Sequence, residues 1–160
     1  MGSTSDLPVM EKACKWLDDN EIPFEVNALS AHRTPDAVEA FAKGAQERGI
    51  KVIIAAAGMA AALPGVIAAS TNLPVIGVPI KGMLDGLDAM LSIIQMPPGI
   101  PTATVGVNAA QNAAILAAQI ISLSDSAVAA KVAAHKAGLG AKIEKANKDL
   151  AEVKYNFKTN

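Results

Sequence analysis

The stretch KVIIAAAG, residues 51–58, decides the fold of this 160-residue chain. After Lys51 the stretch contains only apolar side chains and glycine, without the alternation of polar and apolar residues that a half-exposed strand shows. A strand of this kind is buried on both faces, which is typical of parallel sheets because helices cover both sides. The stretch therefore predicts an α/β domain.

Helical and strand patterns alternate on both sides of this stretch. Strands are predicted at residues 24–29, 51–57, 74–78 and 102–107, and helices at 6–20, 35–48, 64–71, 85–95, 108–123 and 125–153. We expect Ser5 or Asp6 to cap the first helix, and Pro35 to open the second. Strands separated by helices form right-handed βαβ units, so residues 1–160 are predicted to form one domain with three α/β/α layers.

The last predicted helix is long and amphipathic. Its apolar positions recur at spacings of three, four and seven: Val128, Val132, Leu139, Ile143, Ala146, Leu150 and Val153. This stripe extends beyond what a small domain can bury, so we expect it to pack on another subunit.

Composition excludes several kinds of partner. The formal net charge is −1 and only 3% of residues are aromatic, which favours neither nucleic acid nor a membrane surface. Cys14 is the single cysteine, so neither an internal disulfide nor a paired-cysteine metal site can form, and a small buried thiol is favoured over a reactive one. With no secretory signal pattern, a cytoplasmic location is expected.

Three segments carry the candidate site, because each falls where a predicted strand ends or a helix begins. Residues 3–6 place hydroxyl groups and free N–H groups at a helix start, where an anion can bind and Asp6 could accept hydrogen bonds from ribose hydroxyls. A capped helix start without a ligand remains the alternative. The loop around Gly58 offers backbone amides and a dry apolar lining.

Residues 30–35, SAHRTP, form the most specific of these segments. Arg33 can hold a phosphate through its bidentate guanidinium group, and the imidazole of His32 can give or take a proton near neutral pH. The alternative for His32 is a residue that only caps a strand end. His135, the other histidine, falls on a lysine-rich helix, where we expect it to be exposed to solvent.

One strand is missing from the predicted order. A Gly-Ser-rich loop that enters a helix should follow a strand, yet Met1 stands directly before Gly2. We expect a strand before Gly2, since neighbouring strands of a buried sheet would otherwise keep unpaired N–H and C=O groups.

Six segments together resemble the family of N5-carboxyaminoimidazole ribonucleotide mutase: GSTSDLPVM, SAHRTP, AGMAAALPG, PVIGVP, LDGLDAMLSIIQMPPGIPTATV and NAAQNAAILAAQI. The resemblance implies a flavodoxin-like domain that assembles into a homo-octamer and needs neither a metal nor an organic cofactor. It implies His32 as the catalytic residue and Ser3, Asp6 and Arg33 as substrate contacts, with Ser5, Ser30 and Gly58 nearby.

The reaction that the resemblance implies belongs to purine (IMP) biosynthesis. Carbon dioxide leaves the exocyclic nitrogen of a carbamate ribonucleotide and is attached to ring carbon four. One departure bears on this reading: mutases of the family typically carry a histidine where this chain has Ala62. Direct carboxylation of aminoimidazole ribonucleotide by free carbon dioxide is therefore an alternative, although that related class carries a lysine where this chain has Arg33. A nucleotide module that only binds is a second alternative.

Overall fold

A three-stranded parallel sheet forms the centre of the computed structural model, which describes residues 1–160. Strands β1 (Ile53–Gly58), β2 (Val75–Ile80) and β3 (Ala103–Thr104) lie in the order β1-β2-β3. β1 and β2 pair along their whole length, from Ile53 opposite Val75 to Gly58 opposite Ile80. The parallel sheet predicted from residues 51–58 is confirmed.

Six α-helices surround the sheet, and each corresponds to a predicted helix. They are α1 (Leu7–Asp19), α2 (Pro35–Gly44), α3 (Leu63–Ala69), α4 (Leu87–Ile94), α5 (Ala110–Ser122) and α6 (Ser126–Glu152), and a short 3₁₀ turn at Thr4–Asp6 precedes α1. α2 is shorter than predicted, because residues 45–49 form turns. None of the helices is both long and apolar enough to cross a bilayer.

Two apolar clusters lie on opposite faces of the sheet. Alternate residues of β1 point to opposite sides, so Ile53, Ala55 and Ala57 face one cluster and Ala56 faces the other. The first cluster contains α1 and α5, and the second contains α2, α3 and α4. Because helices cover both faces, the three-layer α/β/α prediction is confirmed.

Small residues bring the layers together. A Cβ atom on Gly77 of β2 would collide with Cγ2 of Ile93 in α4. On the other face, five alanines of α5 are buried, and α5 packs closely against α1. Side chains of this size fill an interior that contains few aromatic rings.

The prediction of a strand at residues 24–29 was wrong. These residues belong to no strand, and their only backbone hydrogen bonds are made with Met1: its ammonium group donates to the carbonyl of Asn27, and its carbonyl accepts from the N–H of Leu29. A strand needs a ladder of such bonds, and no chain lies beside residues 23–26 to supply one. The strand predicted at residues 102–107 is likewise reduced to Ala103–Thr104.

Cys14 is half-buried on α1, and burial raises the pKa of its thiol above the usual range. A raised thiol pKa lowers the fraction of nucleophilic thiolate at neutral pH. The interpretation of Cys14 as an unreactive packing residue is supported.

α6 packs on α5 through its first turns only. Val128 and Val132 contact the first core cluster, whereas Leu139, Ile143 and Leu150 are exposed, and no residue of α6 is fully buried. The predicted long helix is confirmed, and most of its apolar stripe is exposed in the single chain.

The expectation that His135 is solvent-exposed was wrong. The indole N–H of Trp16, on α1, donates to Nδ1 of His135 over 3.2 Å, and the two rings meet edge to face with centroids 5.3 Å apart. Trp16 is buried, and its indole can only donate, so Nδ1 of His135 must be the unprotonated acceptor. The pair fastens α6 to α1.

We predict that His135→Ala lowers the free energy of unfolding by about 1–2 kcal/mol, because it leaves the buried indole N–H of Trp16 without its acceptor. Urea denaturation followed by Trp16 fluorescence measures the change. Lys136→Ala, at an exposed neighbour on α6, is the matched control and should change the midpoint little. Equal effects of the two substitutions would contradict the proposed importance of the Trp16–His135 bond.

Candidate active site

Gly2 joins the segments that carry the candidate site. Its backbone N–H donates to the carbonyl of Ala56, near the carboxyl end of β1, over 3.1 Å. Its own carbonyl accepts from Nη2 of Arg33, also over 3.1 Å. The N-terminal loop, the SAHRTP segment and the end of β1 therefore meet at one edge of the sheet, where ligands bind in open parallel sheets.

The turn at residues 3–6 is held by its own side chains. Oγ of Ser3 accepts from the N–H of Ser5, and the carbonyl of Ser3 accepts from the N–H of Asp6. Asp6 stands at the N-cap position of α1, as the sequence predicts, but its carboxylate caps no helix N–H. The side chain that caps is that of Ser3, on the 3₁₀ turn.

Asp6 is the one charged residue of the chain that is buried, with 9% of its surface exposed. Its only hydrogen bond from another side chain is a long one, 3.4 Å from Oγ of Ser5 to Oδ1. A carboxylate can accept about four hydrogen bonds, so Asp6 retains unused capacity to accept hydrogen bonds from hydroxyl groups.

A closed turn presents His32 and Arg33. The N–H of Thr34 donates to the carbonyl of Ser30 over 2.8 Å, and the N–H of Ser30 donates to Oγ1 of Thr34 over 3.0 Å. Nε of Arg33 donates to Oγ of Ser30, which orients the guanidinium plane. Hydrogen bonds within the protein thus close the turn without a ligand.

His32 is exposed at this turn, and its imidazole makes no hydrogen bond within the protein. Both ring nitrogens are free to exchange a proton with a ligand. A strand-capping role, the alternative considered for this histidine, would require a bond from the ring to the backbone, and the structure contains none.

The loop after β1 is strained. Met59 and Ala61 have φ angles of +53° and +33°, in the left-handed region that non-glycine residues rarely adopt. The N–H of Ala61 donates to the carbonyl of Gly58, and Ala61 is buried while Met59 is exposed. Ala62, at the N-cap position of α3, has ordinary helical angles and is half-buried.

The sequence did not point to Lys81 and Asn108, which the fold places at the same edge. Lys81 follows β2 directly, next to the end of β1, and its backbone N–H donates to Oδ1 of Asn108 over 2.9 Å. Its ammonium group pairs with Asp85 at 2.9 Å. The sequence could have indicated these two residues only by their position, since each follows a predicted strand.

Backbone strain is concentrated at this edge. Of the six non-glycine residues with positive φ, five follow the carboxyl ends of the three strands: Met59, Ala61, Leu84, Asp85 and Asn108. Strain that the surrounding structure maintains is a common property of functional sites. The same edge carries the imidazole of His32, the guanidinium group of Arg33 and the buried carboxylate of Asp6, which are groups that can bind an anionic, hydroxyl-bearing ligand.

The structure is that of a parallel α/β protein with a candidate ligand site at the carboxyl edge of its sheet. Comparison with known protein families identifies the class of protein: residues 1–142 match the model of the AIR carboxylase family. The chain belongs to this family, and the resemblance described from the sequence is confirmed.

Known relatives agree with the family match. The chain is 61% identical over 124 residues to the N5-carboxyaminoimidazole ribonucleotide mutase of Pyrococcus abyssi, covering 77% of this chain and 71% of that protein. It is 49% identical to the mutase of Thermotoga maritima, covering 97% and 91%. The phosphoribosylaminoimidazole carboxylase of Saccharomyces cerevisiae is 56% identical over 82% of this chain, which spans 23% of that protein.

The fold is shared with a solved structure. The crystal structure of Treponema denticola PurE superposes with a TM-score of 0.83 at 31% sequence identity, and 94% of each chain is covered. The flavodoxin-like prediction is therefore confirmed.

Proposed function

We propose that this chain is an N5-carboxyaminoimidazole ribonucleotide mutase of purine biosynthesis. It converts the carbamate, N5-carboxyaminoimidazole ribonucleotide, into 4-carboxy-5-aminoimidazole ribonucleotide. The observation that carries the proposal is the meeting of His32, Arg33 and the turn at residues 3–6 around Gly2, in a chain about half identical to named mutases over nearly its whole length. A cytoplasmic location stays a prediction.

Substrate binding uses the anion-binding and hydroxyl-binding groups of the edge. Arg33 and the N–H groups at the start of the first helix hold the phosphate, and Ser3 assists them. Asp6 accepts hydrogen bonds from the ribose hydroxyls with the acceptor capacity that the protein leaves unused. Binding energy from these remote groups aligns the imidazole ring with His32.

His32 performs the proton transfers. In its protonated form it donates to the exocyclic nitrogen as the carbon–nitrogen bond of the carbamate breaks and carbon dioxide leaves. Carbon four of the ring then attacks the carbon dioxide, and neutral His32 removes the proton from that carbon. The proton gained in the second step replaces the one lost in the first, so His32 returns to its starting state.

The loop after β1 retains the carbon dioxide between the two steps. Its residues are apolar, and Met59 is 65% exposed where it could cover a bound ligand. An apolar lining excludes water and keeps a neutral gas molecule close to the ring. Ala62 lacks the side chain that a histidine would offer to the carboxylate, which favours direct carboxylation of aminoimidazole ribonucleotide as the second candidate function.

We predict that His32→Asn lowers kcat at least ~100-fold while nucleotide affinity stays within several-fold, because proton transfer is lost. Since the imidazole makes no bond within the protein, the midpoint of thermal unfolding should not change. Steady-state kinetics and calorimetry separate the two effects. Full activity of the variant would remove His32 from the mechanism.

Arg33→Ala is the contrasting variant in the same experiment. It should mainly weaken nucleotide binding, since a charge-assisted phosphate contact worth about 1.5–3 kcal/mol is lost. Unchanged affinity by calorimetry would mean that Arg33 does not contact the phosphate.

The carbon donor distinguishes the two enzyme functions. The mutase should convert the carbamate even when free carbon dioxide is scavenged, because the gas does not leave the site. The direct carboxylase should instead turn over aminoimidazole ribonucleotide at a rate that rises with dissolved carbon dioxide, and should not use the carbamate. Binding of nucleotide without turnover of either substrate would support the module that only binds.

Ala62→His refines this donor test. Ala62 has helical backbone angles, which a histidine can also adopt. If shape and exclusion of water retain the gas, the substitution should change kcat about tenfold or less, equivalent to ~1.4 kcal/mol. A gain of several orders of magnitude would contradict that role for the apolar loop.

We also propose that the chain acts as a homo-oligomer, an octamer on the resemblance described above. Beyond the part of α6 that packs on α5, the chain carries five large apolar or aromatic side chains that are 48–95% exposed: Leu139, Ile143, Leu150, Tyr155 and Phe157. A second exposed apolar surface, Met83, Leu84, Leu87, Leu91 and Ile94, lies beside the active-site edge. Surfaces of this kind are typical of subunit interfaces.

Light scattering tests the assembly. The protein should be larger than a monomer at micromolar concentration, and the double substitution Ile143→Glu with Leu150→Glu should reduce its mass by placing charges in the interface. Lys145→Glu, on the same helix, is the control. A stable monomer of the unaltered chain would contradict the proposal.

A further inference from the structure

Lys81 is the cationic side chain of the active-site edge to which the proposed reaction assigns no role. The loops that meet at this edge contain two cations, Lys81 and Arg33. The guanidinium group of Arg33 already bonds to Ser30 and Gly2, and the phosphate is assigned to it. The proposed substrate and product each carry a carboxylate as well as a phosphate. The site therefore holds two anionic groups, and Lys81 is the second cation at the edge.

The register of the sheet places Lys81 beside the loop that follows β1. Gly58 pairs with Ile80, so Lys81 stands level with Met59, the first residue of that loop. Ile80 faces the cluster of α1 and α5, and strand alternation puts the next residue on the opposite face, which α3 and α4 cover. The ion pair of Lys81 with Asp85, two residues before α4 begins, agrees with this direction.

The loop after β1 supplies no polar side chain of its own. Residues 58–62 read Gly-Met-Ala-Ala-Ala, and Ala62 at the N-cap position of α3 makes no side-chain hydrogen bond. The proposed function places the migrating carbon dioxide at this loop, so the carboxylates that precede and follow it lie there too. A carboxylate beside apolar groups needs hydrogen-bond donors or a cation. The cation that the sheet register brings to this loop is the ammonium group of Lys81.

Two hydrogen bonds to Asn108 fix the backbone of Lys81. The N–H of Lys81 donates to Oδ1 of Asn108 over 2.9 Å, and the N–H of Asn108 donates to the carbonyl of Pro79 over 2.8 Å. Asn108 has a φ angle of +58°, in the left-handed region that asparagine tolerates better than most residues. The point from which the side chain of Lys81 extends is therefore held by the neighbouring loop.

The side chain of Lys81 is free to change its partner. Its ammonium group pairs with Asp85 at 2.9 Å, but the two side chains are 58% and 87% exposed. An ion pair between exposed groups contributes little, because water and salt compete with it. The ammonium group has three N–H donors, so it can reach a ligand carboxylate without breaking any buried interaction.

We propose that Lys81 binds the carboxylate that the reaction transfers, and that it exchanges Asp85 for this carboxylate when the nucleotide enters the site. Lys81 has this role only if the proposed function holds, and it then distinguishes carboxylated nucleotides from aminoimidazole ribonucleotide. Asp85 keeps the ammonium group at the edge while the site is unliganded. In the liganded site the ammonium group neutralises the carboxylate next to the apolar loop.

Calorimetry with two nucleotides that differ by the carboxylate tests this role. Lys81→Met should lower the affinity for 4-carboxy-5-aminoimidazole ribonucleotide about 10–100-fold, since a charge-assisted hydrogen bond is lost. Aminoimidazole ribonucleotide lacks the carboxylate, so its affinity should stay within about twofold. Lys81→Arg, which keeps the cation, should restore most of the loss. Lys15→Met is the matched control and should change neither affinity, because Lys15 forms an exposed ion pair of the same length, 2.9 Å, with Asp19 on α1.

Asp85→Asn is the second arm of the experiment. Asparagine tolerates the left-handed backbone at this position, where φ is +54°, so the loop should keep its conformation. Without its competitor, the ammonium group should bind the carboxylated nucleotide about two- to fivefold more tightly, as expected for the loss of an exposed ion pair. In the Lys81→Met background the same substitution should have no effect.

Equal losses for the two nucleotides in Lys81→Met, or no loss for either, would overturn the role of Lys81 and leave the proposed function standing. A gain from Asp85→Asn that persists without Lys81 would overturn the exchange, because the charge of Asp85 would then act on the ligand directly. Failure of the unaltered chain to bind either nucleotide would instead overturn the proposed function, and the role of Lys81 with it. Each variant should unfold at the same temperature as the unaltered chain, since both side chains are exposed.

Discussion

The parallel pairing of β1 with β2 is the constraint on which the rest of the structure depends. Six residues of each strand pair in register, and helices cover both faces, so the sheet is buried except along its edges. Parallel strands end at the same side of the sheet, which brings the loops after Gly58 and Ile80 together. The N-terminal loop and the SAHRTP segment join this edge through Gly2, which bonds to Ala56 of β1 and to Arg33.

The edge formed in this way combines rigid and strained elements. Hydrogen bonds close the turn of Ser30 and Thr34, and five left-handed non-glycine residues follow the strands. Strain of about 1–3 kcal/mol at residues such as Met59, Ala61 and Leu84 must be offset by the packed layers behind them. The small side chains of α5 and the close approach of α4 at Gly77 provide that packing, and the site is shaped before a ligand arrives.

Three apolar surfaces remain uncovered in the single chain: the outer face of α6, the surface that includes Met83 and Ile94, and the groove beside β1. The outer face of α6 belongs to a regular helix whose backbone groups are already hydrogen-bonded within the helix. Another helix can therefore cover this face by packing side chains against it. The groove between residues 23–29 and β1 displays side chains together with backbone groups that make no hydrogen bond. The outer face of α6 and the groove are both apolar, and they differ in whether their backbone groups are hydrogen-bonded.

Local pattern by itself determined the helices and the two long strands, and it singled out His32 and Arg33 as candidate site residues. Periodicity and capping residues act over a few neighbours, so they can be read along the chain. Tertiary structure alone decided whether residues 24–29 form a strand, because a ladder needs a partner that lies elsewhere. The same reason explains His135, whose partner Trp16 is 119 residues away, and the link between Lys81 and Asn108. The sequence placed Asp6 at a helix start, but it could not show which nearby side chain accepts the capping hydrogen bond. In the fold Ser3 accepts that bond, so the carboxylate of Asp6 caps no N–H group.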